Sequence, residues 1–133
     1  MSTLAIDSWA LLEWLLGQPS APKVRAILDQ ASDGQHQLLM DWINVGEVIY
    51  MLVRKHSQQA SEDFLMRLPS LPIRLVLPTV DSIVRAARIK STYKLSYGDA
   101  FAVDLAIQHQ AGIVTGDPEI AALGLVKVVW VGP

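Results

Sequence analysis

The chain has 133 residues, which suggests one domain spanning 1–133 and a core large enough to need no covalent staples. It has no cysteine, which excludes disulfides, zinc–thiolate sites and thiol catalysis. Its formal net charge of −2 argues against bulk nucleic-acid binding, yet eight of its eleven Lys and Arg residues fall between Arg54 and Lys94. These eight are Arg54, Lys55, Arg67, Arg74, Arg85, Arg88, Lys90 and Lys94. A phosphodiester enzyme needs a basic surface of this kind beside an acidic pocket, although solvated helix faces would give the same cluster. Asp7 and Glu13 interrupt the first apolar stretch, and Met1-Ser2-Thr3 carries no basic segment, so no secretory leader is expected. No uncharged apolar run reaches about 18 residues, so no transmembrane helix is expected either. The expected location is cytoplasmic.

The first element is a strand over Thr3–Ile6, which ends at Asp7. A helix follows over Ser8–Leu16, with Asp7 placed as its N-cap and Ile6 and Leu11 as a hydrophobic staple. This helix is unusually apolar, and Trp9, Trp14 and Leu15 suit either the core or a contact with another chain. A helix over Pro22–Ser32 and a strand over Leu38–Met40 come next. Asp41 is read as the N-cap of a helix over Trp42–His56, whose apolar stripe is Val45, Val48, Ile49, Leu52 and Val53. Glu47 lies roughly opposite that stripe, and its neighbours at three and four residues are Asn44, Tyr50, Ile43 and Met51. None of these is basic, so Glu47 is not half of a helical ion pair.

A helix over Ser61–Leu68 leads into a stretch punctuated by Pro69, Pro72 and Pro78, with a strand over Arg74–Leu77. Helices over Thr79–Ser91 and Gly98–Gln110 follow, the second opened by Ser96-Tyr97-Gly98-Asp99, which fits a capping box. Asp104, five residues beyond Asp99, falls on a different face of that helix. A strand over Ile113–Thr115 precedes Asp117-Pro118, a strong N-cap signal for a helix over Pro118–Leu123, which Gly124 ends. The last strand is Lys127–Val131. Strands alternating with helices predict an α/β fold with a mostly parallel central sheet and helices on both faces.

Ligands of such sheets bind outside the carboxyl ends of the strands. Asp7 and Asp117 belong at that edge, and Asp99, at a helix start, can join them. Carboxylates in apolar settings are costly unless they are paired, hydrogen-bonded or bound to a metal. Capping explains Asp7, Asp99 and Asp117 singly, but capping and metal binding are compatible, because a cap sets its carboxylate at this edge. With Glu47 they form an oxygen-only set suited to Mg²⁺ or Mn²⁺. Asp41 and Asp104 are placed outside the site. His36, His56 and His109 show no metal-ligand spacing, Ser8 lacks a nucleophile elbow, and no glycine-rich nucleotide motif occurs.

Four short motifs share one order and spacing with a known family. They are Asp7-Ser8, Asn44-x-x-Glu47, Ser96-Tyr97-Gly98-Asp99-Ala100 and Thr115-Gly116-Asp117. Leu15-Leu16-Gly17-Gln18-Pro19 also looks like that family's first loop, although Glu is commoner there than Gln18. The chain resembles PIN-domain ribonucleases of the VapC toxin type across nearly its whole length. The resemblance implies a PIN-like three-layer sandwich. It also implies Asp7, Glu47, Asp99 and Asp117 as the catalytic, metal-holding quartet, with Ser8, Asn44 and Thr115 as polar neighbours. It further implies Mg²⁺- or Mn²⁺-dependent cleavage of RNA, a toxin–antitoxin pairing with a small antitoxin, and a homodimer. A receiver-like signalling domain fits poorly, because Lys127 begins its strand instead of ending it. A haloacid-dehalogenase phosphatase would want Asp-x-Asp where this chain has Asp7-Ser8-Trp9. A non-catalytic PIN-fold binding module is the remaining rival.

Overall fold

The computed structural model describes residues 2–133. In chain order the elements are β1 (Ser2–Ile6), α1 (Ser8–Leu15), α2 (Ala21–Ser32), β2 (His36–Asp41), α3 (Trp42–Lys55) and α4 (Gln58–Arg67). A 3₁₀ turn (Leu68–Ser70) leads to β3 (Arg74–Val76), α5 (Val80–Thr92), α6 (Tyr97–Gln108), β4 (Gly112–Thr115), α7 (Pro118–Ala121) and β5 (Val128–Trp130). Each predicted strand and helix is present, with ends shifted by at most a few residues. The sheet order is β3-β2-β1-β4-β5, and all its pairings are parallel among the described residues.

Strand side chains alternate between two cores, as a period of two requires. Ile6, Leu38, Met40 and Val114 face the core shared with α1 to α4. Ala5, Leu39 and Ile113 face α6 and α7, where they meet Ala102, Val103, Ala106 and Ile120. Burial on both faces is why the strands read as unbroken apolar runs. Truncating the fully buried Ile113 to alanine should cost about 2–5 kcal/mol through lost burial plus a cavity.

The chain adds β2 and β3 on one side of β1 and β4 and β5 on the other. The strand order therefore reverses between β1 and β4, and a crevice opens at their carboxyl ends. Asp7 directly follows β1, and Asp117 lies two residues beyond β4.

One sequence-based expectation is corrected. The buried side of α3 is Asn44, Val45, Val48 and Leu52, while Val53 is exposed. The cause is α6, which packs against α3 and covers the Asn44 side. Ala10, Leu11 and Leu12 are buried, and Trp9, Trp14 and Leu15 pack on the core. Apolar side chains left in solvent include Val80, Ile83 and Val84 on α5, with Leu77 just before it, and Ile43, Tyr50 and Val53 on α3.

Candidate active site

Asp7 takes an extended backbone at the end of β1, and its Oδ1 caps α1 by accepting from the Ala10 N–H at 2.8 Å. Its Oδ2 accepts from the Thr115 hydroxyl at the end of β4. The Thr115 Oγ1 in turn accepts from the Asp117 N–H at 2.9 Å, which places Asp117 beside Asp7. Asp117 caps α7 through the Glu119 N–H at 2.8 Å. The capping expected of Asp7 and Asp117 is therefore present, and so is their convergence.

Asp99 enters from the first turn of α6. Ser96 caps that helix by accepting from the Asp99 N–H at 3.1 Å. The Asp99 carboxyl does not complete a capping box; it lies beside Asp117 and the Ser96 hydroxyl. Glu47 comes from α3, and its Oε1 accepts from the Ser8 hydroxyl at 3.1 Å and from Asn44 Nδ2 at 2.8 Å. Asn44 Nδ2 also donates to the Gly98 carbonyl at 2.9 Å, tying α3 to α6.

Proton affinities show that these acids share one field. Burial pushes the Asp7 carboxyl up to about 7, against the pull of its bonds to Thr115 and Ala10, and repulsion from Asp117 and Glu47 adds to the rise. Burial pushes Asp99 up to about 8, helped by hydrogen bonding to and repulsion from Asp117 and then by Asp7, while the Ser96 hydroxyl pulls it down. Among the described residues, none of the four carboxylates has an ion-pair partner. All four sequence-predicted acids are thus brought together, from the ends of β1 and β4 and the helices α3 and α6.

No three His, Asp or Glu side chains among the described residues stand as a ready-made metal-ligand set. The chemistry of the donors nonetheless fits a hard divalent cation, being carboxylate oxygens with no sulfur or imidazole. A cation would also stabilise the charged forms of Asp7 and Asp99, which burial first and then their acidic neighbours disfavour.

Asp41 and Asp104 lie elsewhere, as the sequence suggested. Asp41 caps α3 through the Ile43 N–H at 2.8 Å. Asp104 takes a two-pronged pair from Arg85, with Nε to Oδ1 at 2.8 Å and Nη2 to Oδ2 at 3.3 Å. The three residues line a cavity of about 190 Å³ with Thr79, Ser82 and His109.

The expected basic surface is only partly realised. Arg85 is taken by Asp104, Arg67 lies over the Trp14 ring and Arg54 over Tyr50. Lys55 is different, because it lines one cavity of about 190 Å³ with Ser8, Trp9, Glu47, Tyr50 and Met51. A second cavity of about 320 Å³ shares Trp9, Leu12 and Lys55 with the first, so a trough leads away from Glu47 between α1 and α3.

Two features of the site escaped sequence reasoning. Gly98 leaves room for the Glu47 carboxylate, and Gly116 leaves room for the Trp9 ring beside Asp117. A glycine inside a helix's first turn and another between Thr115 and Asp117 were the available signals of close approach.

A family model described as PIN domain matches residues 4–125. The chain belongs to the PIN domain family. No curated protein sequence matches this PIN domain significantly. Among solved structures it is similar to VapC20 of Mycobacterium tuberculosis, described as a Sarcin-Ricin loop cleaving toxin. The TM-score is 0.77 at 15% identity, over 94% of this chain and 98% of that one. It is also similar to VapBC2 of Rickettsia felis bound to a promoter DNA fragment, with a TM-score of 0.72 at 10% identity over 95% and 96% of the two chains. A toxin–antitoxin complex from Klebsiella pneumoniae gives 0.64 at 20% identity, over 92% and 94%. At these identities the likeness is one of fold. Among the described residues of this PIN domain, no helix is long and apolar enough to cross a membrane.

Proposed function

We propose that this PIN domain is a divalent-metal-dependent endoribonuclease acting in the cytoplasm as the toxin of a toxin–antitoxin pair. The observation that carries the reading is the group of four carboxylates, Asp7, Glu47, Asp99 and Asp117, gathered at the sheet's switch point with no basic partner among the described residues. A cluster of this kind weakens the fold unless something positive binds it. The toxin role is supported by the fold shared with the VapC20 toxin and with the toxin–antitoxin complex.

In this reading Asp7, Asp99 and Asp117 hold Mg²⁺ or Mn²⁺, and Glu47 is either a further ligand or the group that orients the attacking water. The bound cation supplies Lewis acidity, which lowers the pKa of water and neutralises charge that develops on the phosphate. The protein's own groups do the positioning. Thr115 fixes Asp7 Oδ2 and holds the Asp117 backbone, while Ser8 and Asn44 fix Glu47 Oε1. Water adds to phosphorus as the P–O3′ bond breaks, and the departing O3′ takes a proton. The products carry 5′-phosphate and 3′-hydroxyl ends, because no 2′-hydroxyl attack is needed. Lys55, in the trough beside Glu47, is suited to guide the RNA backbone.

A small antitoxin is the expected inhibitor. A homodimer is also proposed, through the solvent-exposed apolar face of α5 at Val80, Ile83 and Val84. The test is RNA cleavage by the purified chain with Mg²⁺, with Mn²⁺ and with excess EDTA, followed by analysis of the product ends. Metal-dependent cleavage that leaves 5′-phosphates is expected. EDTA-resistant cleavage, or 2′,3′-cyclic phosphate products, would overturn the mechanism.

A further inference from the structure

We infer that Asn44 and Gly98 act together as positioning residues for Glu47, fixing its carboxylate by one oxygen and leaving the other free for the reaction. The inference rests on the nuclease reading above and deepens it.

Asn44 is fully buried where α3 packs on α6. Its Nδ2 gives one N–H to Glu47 Oε1 at 2.8 Å and the other to the Gly98 carbonyl at 2.9 Å. Both partners are acceptors, so only the amide nitrogen can face them. A flipped amide would set oxygen against oxygen twice. The amide orientation is therefore dictated, and Asn44 Oδ1 is left buried with no hydrogen-bond partner. A buried acceptor without a partner is costly, and a residue retained at that cost needs a reason. Placing two donors on these two acceptors is that reason. No other side chain of this size supplies two N–H donors from one atom. Serine would reach one partner, and aspartate would oppose a carboxylate with a carboxylate.

Gly98 completes the fit. A Cβ at this position would overlap the Glu47 carboxylate, including Oε2. Alanine is the better helix former, so a glycine in the first turn of α6 is not there for propensity. Its hydrogen atom leaves the space that the carboxylate occupies, and its carbonyl anchors the amide that holds it. Glu47 Oε1 is thus held by Asn44 and Ser8, and Oε2 receives no hydrogen bond among the described residues. One oxygen is pinned and the other is available. An unpinned glutamate at the surface of α3 would instead sample several rotamers and find the productive one only part of the time.

The experiment compares Asn44→Ala, Asn44→Asp and Gly98→Ala, each alone and combined with Glu47→Ala. Three quantities are read: the kcat and KM for RNA cleavage, the Mn²⁺ dissociation constant by calorimetry, and the melting temperature without metal. Each single variant should lower kcat by about tenfold or more, with KM for RNA moving by less than about threefold. Mn²⁺ should bind more weakly, and Asn44→Asp should be worse than Asn44→Ala. In the Glu47→Ala background the same substitutions should have no further effect on rate or Mn²⁺ affinity, because they act only through Glu47. Should Asn44→Ala fold poorly, Gly98→Ala carries the test, since it deletes no hydrogen-bonding group, favours the helix, and its Cβ meets only the movable end of the Glu47 side chain. Undiminished kcat and Mn²⁺ affinity in Gly98→Ala would overturn the inference. So would losses that simply add to those of Glu47→Ala. If the wild type cleaves no RNA, the nuclease reading fails, while the Mn²⁺ affinities still decide whether Asn44 and Gly98 act through Glu47.

Discussion

The protein buries acids in two places, and the two are built differently. At the junction of α3, α5 and α6, Asp104 is matched by the guanidinium of Arg85 through two hydrogen bonds, one short and one long, and Asp41 beside it serves as a helix cap. At the switch point between β1 and β4, Asp7, Glu47, Asp99 and Asp117 have hydrogen bonds from Thr115, Ser8, Asn44 and backbone amides but no ion-paired basic side chain among the described residues. The first group is electrostatically nearly closed. The second is held in place by these hydrogen bonds, and burial, with repulsion among the acids added to it, disfavours the charged forms of Asp7 and Asp99 and raises their pKa values. Acids matched by a cation destabilise a fold when the match is broken, whereas ordered acids without a basic partner are suited to a ligand of opposite charge.

The largest expected effect separating the two groups is on catalysis. Asp7→Asn and Asp99→Asn should each lower RNA cleavage by about 100-fold or more while the fold persists, because Asn still caps α1 and α6 remains capped by Ser96. Asp104→Asn should leave the rate within about threefold. Steady-state kinetics on one RNA substrate makes the comparison, and equal losses in all three variants would erase the distinction.

Stability should respond in the opposite sense. Asp104→Asn leaves Arg85 without its partner and should cost about 1–3 kcal/mol in denaturant unfolding. That is less than the 3–5 kcal/mol of a fully buried pair, because the Arg85 side chain is 38% exposed. Metal-free Asp7→Asn should instead be as stable as the wild type or more so at neutral pH, since it removes a carboxyl whose charged form burial and its acidic neighbours disfavour.

The effect of pH sharpens the same contrast. Folding raises the Asp7 pKa from 3.8 to about 7 and the Asp99 pKa from 3.8 to about 8. The native state therefore holds protons that the unfolded chain has already released. Stability from these groups is fully present below about pH 4 and is lost as pH rises through 7 to 8. In metal-free melts, Asp7→Asn should gain on the wild type as pH rises from 4 to 8. A difference that stays flat across this range would mean that Asp7 carries no raised pKa.

The smallest effect belongs to Asp41. Burial raises its pKa, and Asp104 adds to the rise. Asn caps a helix about as well as Asp, so Asp41→Asn should shift unfolding by less than about 1 kcal/mol and leave any metal response unchanged. A lost metal response would move Asp41 into the site.

Much of this arrangement was legible in the sequence, and for physical reasons. Doubly buried parallel strands leave apolar runs, and Asp7 and Asp117 sit where those runs stop, so both the sheet edge and its acids could be read directly. Contacts between distant segments were not legible. The Asp104 partner, Arg85, lies 19 residues away on another helix, and nothing in the local pattern marks it. Glu47 was placed opposite the apolar stripe of α3, as periodicity requires, but periodicity is blind to α6, which covers that flank and turns Asn44 inward. Likewise the apolar residues of α1 suggested an interface, and the pattern alone did not show that Ala10, Leu11 and Leu12 serve the core against α2 and α3. Helical patterning reports how apolar a face is and not what covers it.

The most direct test of the contrast is a set of thermal melts of the wild type, Asp117→Asn and Asp104→Asn, each in EDTA and in saturating Mg²⁺ or Mn²⁺. A cation that binds only the folded state stabilises it by RT ln(1 + [L]/Kd), about 2.7 kcal/mol at a hundredfold excess over Kd. For a chain of this size that corresponds to a rise on the order of 10 °C. The wild type and Asp104→Asn should both show this rise, and Asp117→Asn should show much less of it. Equal metal responses in all three proteins would remove Asp117 from the site and contradict the reading of the four acids as one cation-binding cluster.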